Sequence, residues 1–289
     1  MNNTILIIGS SGYLGSSLSS TLSKSFKIIE FDLPNNFLDI EPKWIEQNNI
    51  DFIINTAYLP ANDTLNHDEF MSNIYLPLHV IKVLQSMKSK IPLIHFSTRE
   101  VIGSTLNKSE IQIQTDGTFY PKRWYNELSD LSPRNLYGWS KLISEELVSK
   151  YDHGVTIRLS TPYTDFFSSS RGGLISRLCY SSKNHGRVSL ANSGYQVRDP
   201  IHIDDIANLI QLIFRQNFAV LPKVFCVGGG VTNIISLREL CIIANPKVEI
   251  IDTDGGDYGF VFDNMSVQKY LNWTPTLNIR DQIQRYTIS

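Results

Sequence analysis

The sequence predicts an α/β protein, a doubly wound parallel sheet followed by a smaller C-terminal lobe partly woven back into it. Three observations carry this expectation. From the N-terminus, short runs rich in Ile and Phe alternate with longer segments of helical apolar spacing. Those runs are apolar without alternation, as strands covered by helices on both faces are. A glycine-rich turn, Gly9 to Gly15, joins the first run to the first helical segment. The 289 residues suit one large domain or two connected ones, and a soft boundary near residue 160 separates 1–160 from 161–289.

Taken in order, the expected strands are Thr4–Ile8, Lys27–Phe31, Asp51–Thr56 and Pro92–Ser97, each ended by Gly, Asp, Asn or Ser. Helices are expected at Tyr13–Leu22, Pro42–Gln47 and about His67–Lys88. A further helix is expected from Pro133 to Lys150, with Ser132 as its cap and Pro133 in its first position. The strand Val155–Leu159 follows. Beyond Pro162, Gly, Ser and Asn accumulate through 168–173 and 181–194. Elements recur at Ile203–Arg215, Val224–Val227, Leu237–Ile243 and Val248–Ile251.

Composition narrows the function classes. Lys plus Arg is 26 against 28 Asp plus Glu, a net charge of −2, which argues against nucleic acid or anionic lipid as a partner held by charge. No apolar run approaches a membrane span, and the N-terminus shows neither a basic flank nor a small-residue cleavage site. Three cysteines without CxxC spacing read as buried hydrophobes in a reducing compartment, so a cytoplasmic protein is expected. The six histidines lack ligand spacing, and no metal is expected.

The glycine turn is the first chemical signal. In Gly9-Ser10-Ser11-Gly12-Tyr13-Leu14-Gly15, glycine permits a tight turn, close backbone approach to a pyrophosphate and close helix packing, while free amides at the helix start hold phosphate. The spacing is GxxGxxG rather than GxGxxG, so its place after a buried strand carries the reading. Asp32 ends the second strand, 23 residues after Gly9, where a carboxylate accepts from ribose hydroxyls and repels a 2′-phosphate. NAD is therefore favoured over NADP.

Tyr137-Gly138-Trp139-Ser140-Lys141 places a phenol and an ammonium one helical turn apart. A lysine cation, together with an oxidised nicotinamide, stabilises phenolate and lowers the tyrosine pKa. Such a pair is also common as surface decoration.

With these residues in hand, the chain resembles the extended short-chain dehydrogenase/reductase family of NAD-dependent epimerases and dehydratases, Rossmann-like enzymes that mostly modify nucleotide sugars. Gly9, Gly12 and Gly15 match its cofactor loop, with Ser11, Tyr13 and Leu14 between them, and Asp32 its ribose acid. Asp39, followed by Ile40, resembles the acid near the adenine. Asn55-Thr56-Ala57 resembles the loop along the cofactor, and Asn73 the helix asparagine of the active-site network. Ser97 to Gly103 resembles the segment of the catalytic serine or threonine, here Thr98, and Tyr137 with Lys141 the catalytic pair. Val197–Asp205, Val227–Gly230 and Leu271–Pro275 resemble later landmarks, Arg198 matching an arginine that often contacts substrate phosphate.

The resemblance implies reversible hydride transfer at a sugar carbon. In this reading Tyr137 moves the hydroxyl proton, Lys141 holds the nicotinamide ribose and keeps Tyr137 acidic, and Thr98 bonds the same sugar oxygen. Glu100 matches dehydratases and decarboxylases, in which it acts beside a ketone, but Arg99 stands where dehydratases carry Asp. Arg99 fits either a substrate contact or a strand-end surface residue. Residues 98 and 100 share a side if the chain stays extended there. Thr161 and Thr164 replace the usual Asn and Gly on the substrate side, and the acidic run Asp252–Asp257 lacks a second phosphate arginine.

The 104–132 segment, with Phe119 to Tyr125, fits a lid over a sugar or base, or a surface excursion. Alternatives to epimerase or dehydratase are a reductase of a 4-keto sugar nucleotide, using NAD or NADP, and a silent dinucleotide-binding sensor. The family implies a homodimer through the helices at 67–88 and 133–150, where Met71, Ile74, Leu78 and Ile81 form an apolar stripe. The core alone also accounts for that stripe.

Overall fold

The computed structural model describes residues 3–32, 36–59, 67–114, 118–165 and 172–288. In chain order the N-terminal elements are β1 (Thr4–Ile8), α1 (Tyr13–Leu22), β2 (Lys27–Phe31), α2 (Pro42–Gln47), β3 (Phe52–Asn55), α3 (His67–Phe70), α4 (Leu76–Ser86) and β4 (Leu93–Thr98). Next come β5 (Ile111–Ile113), β6 (Phe119–Pro121), α5 (Leu136–Ser149), β7 (Gly154–Leu159), β8 (Thr161–Tyr163), α6 (Leu174–His185) and β9 (Arg187–Ala191). The rest are β10 (Val197–Arg198), β11 (Pro200–His202), α7 (Ile203–Phe214), β12 (Val224–Val227), β13 (Ile235–Ser236), α8 (Leu237–Ala244), β14 (Glu249–Thr253), α9 (Met265–Leu271) and α10 (Ile279–Ile288).

Six strands form the main sheet in the order β12-β7-β4-β3-β1-β2. β1 pairs parallel with both β2 and β3, and β3 with β4. The order reverses at β1, so the ends of β1 and β3 flank the crevice where open α/β sheets bind ligands. All five residues of β1 are buried, as their unbroken Thr-Ile-Leu-Ile-Ile run requires.

Two compact units share the chain. The first comprises residues 1–103, 130–158 and 207–225, and the second 104–129, 159–206 and 226–289. The segment 104–129, which the sequence reading places before its boundary at 160, thus clusters with the second unit. The first unit's core includes Leu6, Ile8, Ile53, Val80, Leu84, Leu93 and Val148. The second has its own, around Tyr163, Ile175, Cys179, Ile235, Leu240, Cys241 and Ile283. All three cysteines are buried and none forms a disulfide. Among the described residues, no helix is long and apolar enough to cross a membrane.

The second unit also buries an acid. The Asp199 carboxylate accepts from the Ser160 hydroxyl and the Phe262 amide, and burial pushes its pKa up to about 7.

Two helices depart from expectation. The helix read as continuous over 67–88 is interrupted by a π-helical turn, Met71–Tyr75, before α4. Pro77 lies in the first turn of α4 and has no N–H to return to the preceding turn, which accounts for the widening. Helix α5 begins at Leu136, not at Pro133. Asn135, in extended conformation, caps it by accepting from the Gly138 amide at 2.7 Å. Ser132 is instead held by its amide on the Ile102 carbonyl, so it is not the cap.

α7, β12, α8 and β14 lie where the sequence reading put elements, but residues 207–214 of α7 and the start of β12 belong to the first unit. α6 and β9 arise where Gly, Ser and Asn suggested looser chain, and the 104–132 segment contains the antiparallel pair β5 and β6. Of the loosened stretch 168–173, residues 168–171 lie outside the described residues.

Candidate active site

The candidate site lies in the first unit, at the C-terminal ends of β1, β3 and β4. Two glycines let backbones meet there. A Cβ on Gly9 would lie 2.5 Å from the Ala57 amide nitrogen, and one on Gly15 would lie 2.1 Å from the Gly9 carbonyl oxygen. The glycine loop therefore sits directly on the loop after β3, with α1 drawn in behind it. Thr56 fastens the two loops, its hydroxyl donating to the Ile8 carbonyl at 2.9 Å and the Gly9 carbonyl at 3.1 Å. Thr56 and Ala57, expected beside a cofactor, thus hold the glycine loop in place.

Helix α1 starts at Gly12 without a side-chain cap, so its first amides face the loop as phosphate donors do. Asp32 accepts from the Ser11 amide at 2.6 Å, which puts a carboxylate beside the loop. These features fit a dinucleotide: a close backbone cradle, a helix N-terminus for the pyrophosphate and an acid for the ribose. Asp39 lies exposed in the short turn Phe37–Asp39, whereas Ile40 is fully buried in the core with its carbonyl against His79 Nε2 at 3.1 Å.

Tyr137 and Lys141 lie one turn apart on α5. Gly138 makes their approach to β4 possible, since a Cβ there would lie 2.7 Å from the Glu100 carbonyl oxygen. Tyr137 is hydrogen-bonded to the Thr98 side chain. The buried Lys141 ammonium donates to the carbonyls of Phe96 at 3.0 Å and Ala57 at 3.4 Å. Burial lowers its pKa to about 8, partly offset by Glu145 on the next turn.

Burial pushes the Tyr137 phenol well above the usual range, Tyr58 and Glu100 add to this, and the Thr98 bond opposes it. In the protein alone desolvation wins, whereas the expected acidification concerns Lys141 together with an oxidised nicotinamide.

A neutral histidine lies behind the lysine. Asn55 Oδ1 accepts from the Ala57 amide, so its Nδ2 donates to His95 Nδ1 at 3.2 Å. The His95 proton then sits on Nε2, 3.1 Å from Ser144 Oγ. Burial and the Lys141 charge hold His95 well below its usual pKa.

Asn73 sits in the π turn and pins the loop after β3 by accepting from the Leu59 amide and donating to its carbonyl, both at 2.8 Å. It also reaches Ser140 Oγ on α5 at 3.4 Å.

Beyond Thr98 the chain does not stay extended. Arg99–Val101 forms a short helical turn, with Thr98 accepting from the Glu100 amide at 3.3 Å. The extended-chain argument for Glu100 therefore fails, yet its charge still acts on Tyr137. Its carboxylate lies 3.2 Å from Arg99 and 3.5 Å from Asn135 Nδ2.

The expected substrate residues Thr161 and Arg198 belong to the second unit. Thr161 is buried in the β8–β11 pair. Arg198 is buried and ion-paired with Asp257 at 3.0 Å, so phosphate contact by Arg198 requires that pair to open.

Sequence reasoning missed Tyr58 and Asn135. Asn135 carried a signal, an Asn three residues before Gly138 at a helix start. Tyr58 carried only its position, next to Ala57.

The model of the NAD dependent epimerase/dehydratase family matches residues 5–228. The chain belongs to this family. It is therefore an NAD-dependent enzyme of the epimerase/dehydratase class. The CDP-paratose 2-epimerase of Salmonella typhi is 24% identical to it over 97% of each chain. Among solved structures, the dTDP-glucose 4,6-dehydratase of Bacillus anthracis in complex with NAD superposes with a TM-score of 0.78 at 18% identity, covering 99% of this chain and 96% of that one. The UDP-glucuronic acid 4-epimerase of Bacillus cereus, in complex with UDP-glucuronic acid and NAD, gives 0.77 at 18% identity, over 99% and 98%. At that identity the likeness is one of fold, and the fold of these epimerase/dehydratase structures is the one described above.

Proposed function

We propose that this epimerase/dehydratase family member acts on a nucleoside-diphosphate sugar, with Tyr137 as the acid/base at the reacting sugar hydroxyl. The observation that carries the reading is the constellation at the end of β4: Tyr137 bonded to Thr98, one turn from the buried Lys141. When bound, NAD supplies reversible hydride acceptance. Asp32 holds the adenosine ribose, while the Tyr13 and Leu14 amides at the start of α1 hold the pyrophosphate. Lys141 keeps one of its three N–H groups for the second ribose, since carbonyls take two. Its cation near an oxidised nicotinamide offsets the burial that keeps Tyr137 protonated, so Tyr137 ionises only in the loaded site. Thr98 donates to the sugar oxygen as charge develops on it. Glu100, ion-paired with Arg99, acts on a ketone formed at the sugar.

The test is single turnover of the NAD-loaded protein with UDP-glucose, dTDP-glucose and UDP-glucuronic acid, following nicotinamide absorbance and product mass. Tyr137→Phe should slow hydride transfer at least about 100-fold. An undiminished rate removes Tyr137 from the reaction. Glu100→Gln should let reduced nicotinamide accumulate with little product, and normal product formation would make Glu100 structural. A second reading, a silent dinucleotide-binding sensor, draws on the Arg198–Asp257 pair, which already neutralises the arginine. Conversion of none of the three sugars would favour it.

The proposal extends to assembly and place. Phe70 on α3 and Trp139 and Ile143 on α5 are exposed apolar side chains on the helices expected to pair, which supports a homodimer measurable as mass by light scattering. Ile74 and Ile81 of the expected stripe are instead buried in the protein's own interior. Three buried cysteines outside any disulfide suit the cytoplasm, and an oxidised disulfide found by mass spectrometry of the native protein would oppose that placement.

A further inference from the structure

Tyr58 is an aromatic side chain that the proposed chemistry does not use, standing where that chemistry happens. Its ring lies 5.3 Å from the ring of Tyr137, tilted by 43°. The Lys141 ammonium lies 5.6 Å from the Tyr58 ring centroid, within reach of a cation–π attraction. Tyr58 therefore touches both members of the pair without hydrogen-bonding either.

Its backbone is held on each side. Asn55 and Lys141 bind the Ala57 amide and carbonyl, and Asn73 binds the amide and carbonyl of Leu59. Four hydrogen bonds around one residue fix where its side chain starts. Yet half of the residue, 50%, stays exposed. An aromatic ring so fixed, one part against Tyr137 and the rest uncovered, has the form of a wall rather than of core.

We propose that Tyr58 is a positioning residue for Tyr137 and a wall of the sugar site, shielding the Tyr137 phenol from water and offering its free ring area to the sugar. The proposal rests on Tyr137 being the acid/base. The groups acting on the Tyr137 phenol are Thr98 and Glu100 from the end of β4 and Tyr58 from the loop after β3, with Lys141 one turn away on its own helix. Burial is the largest influence on that phenol and Tyr58 the next, both raising its pKa. Removing the ring admits water, so Tyr137 should ionise at lower pH. The coulombic effect of Tyr58 belongs to its hydroxyl and the shielding to its ring, so Tyr58→Phe should keep the shield.

The experiment uses the NAD-loaded protein and the same three sugars. In the Tyr137→Phe background, calorimetry should show Tyr58→Ala weakening binding of the sugar that turns over by about 3–10-fold, the worth of one aromatic contact. Tyr58→Phe should restore it. With Tyr137 intact, the pH profile of kcat/KM in Tyr58→Ala should move its tyrosine limb down by about one unit, a tenfold change in ionisation. Binding within twofold of the parent, or a limb that stays in place, overturns the proposal. Tyr58→Leu, which keeps apolar bulk, repeats both measurements should the alanine variant melt early. If instead Tyr137→Phe turns over at the wild-type rate, the acid/base reading itself has failed, and the role of Tyr58 falls with it.

Discussion

Asp199 illustrates how a single residue ties stability to pH. Its carboxyl is wholly buried, and burial outweighs the Ser160 and Phe262 hydrogen bonds and the adjacent Arg198, leaving the pKa near 7 against an ordinary 3.8. A carboxyl whose folded pKa is raised stabilises the fold fully below its unfolded pKa and loses that contribution as pH rises through the folded one. The window here runs from about pH 4 to pH 7. Asn in its place keeps an acceptor for the Phe262 amide and a group the Ser160 hydroxyl can turn toward. Denaturant melts of Asp199→Asn should gain on wild type by on the order of 4 kcal/mol between pH 4 and pH 7. A difference that is flat across that window counts against the buried-acid account.

At this same scale the sequence was most informative where chemistry demands fixed spacing. Gly9, Gly15, Asp32, Thr98, Tyr137 and Lys141 are tied to strand ends or to one helical turn, so their convergence could be read in one dimension. The direction of the Tyr137 pKa could not, because burial and the coulombic effect of Tyr58 both come from neighbours far off in the chain. Nor could the fate of Arg198, whose charge is taken by an aspartate 59 residues on.

Between residue and molecule, α5 shows what holds an element in place. Glu145 on α5 and Arg158 on β7 form a buried ion pair, with Arg158 Nε 3.1 Å from both carboxylate oxygens and Nη2 2.7 Å from one. Each partner is less than 5% exposed, at 4% and 3%. Removing one side of such a pair strands the other without compensation. Glu145→Ala should therefore cost about 3–5 kcal/mol by chemical denaturation. A loss under about 1 kcal/mol would show that water replaces the carboxylate. The existence of this helix was legible from its apolar spacing and its Tyr–Lys pair, but its start was not. Ser132-Pro133 satisfies the local rules for a beginning, while the chain uses Ser132 to close the turn at Ile102 and lets Asn135 cap. The π turn at Met71–Tyr75 was likewise hidden, since Pro77 reads equally well as a first-turn proline and as a kink.

For the whole molecule, the alternation of strands and helices gave the sheet, and composition gave the second lobe. The partition of 104–129 was not visible, because local patterns do not say which core a hairpin joins. Assembly is the measurable property at this scale. Glu substitutions at Trp139 and Ile143 place charge in an exposed apolar stripe and should leave the fold intact while halving the mass seen by light scattering. A wild-type protein that is already monomeric at micromolar concentration would remove the dimer from the proposal.

The interleaving of the two units also bears on how the chain is made. The first unit takes its last piece from residues 207–225, after the ribosome has passed through 159–206. At about 5–20 residues per second, the nascent sheet waits several seconds for its outer strand β12, with the neighbouring β7 unpaired on that side. For that interval its edge is open to any passing strand. Protection during synthesis, rather than stability once finished, is the demand this topology places on the cell.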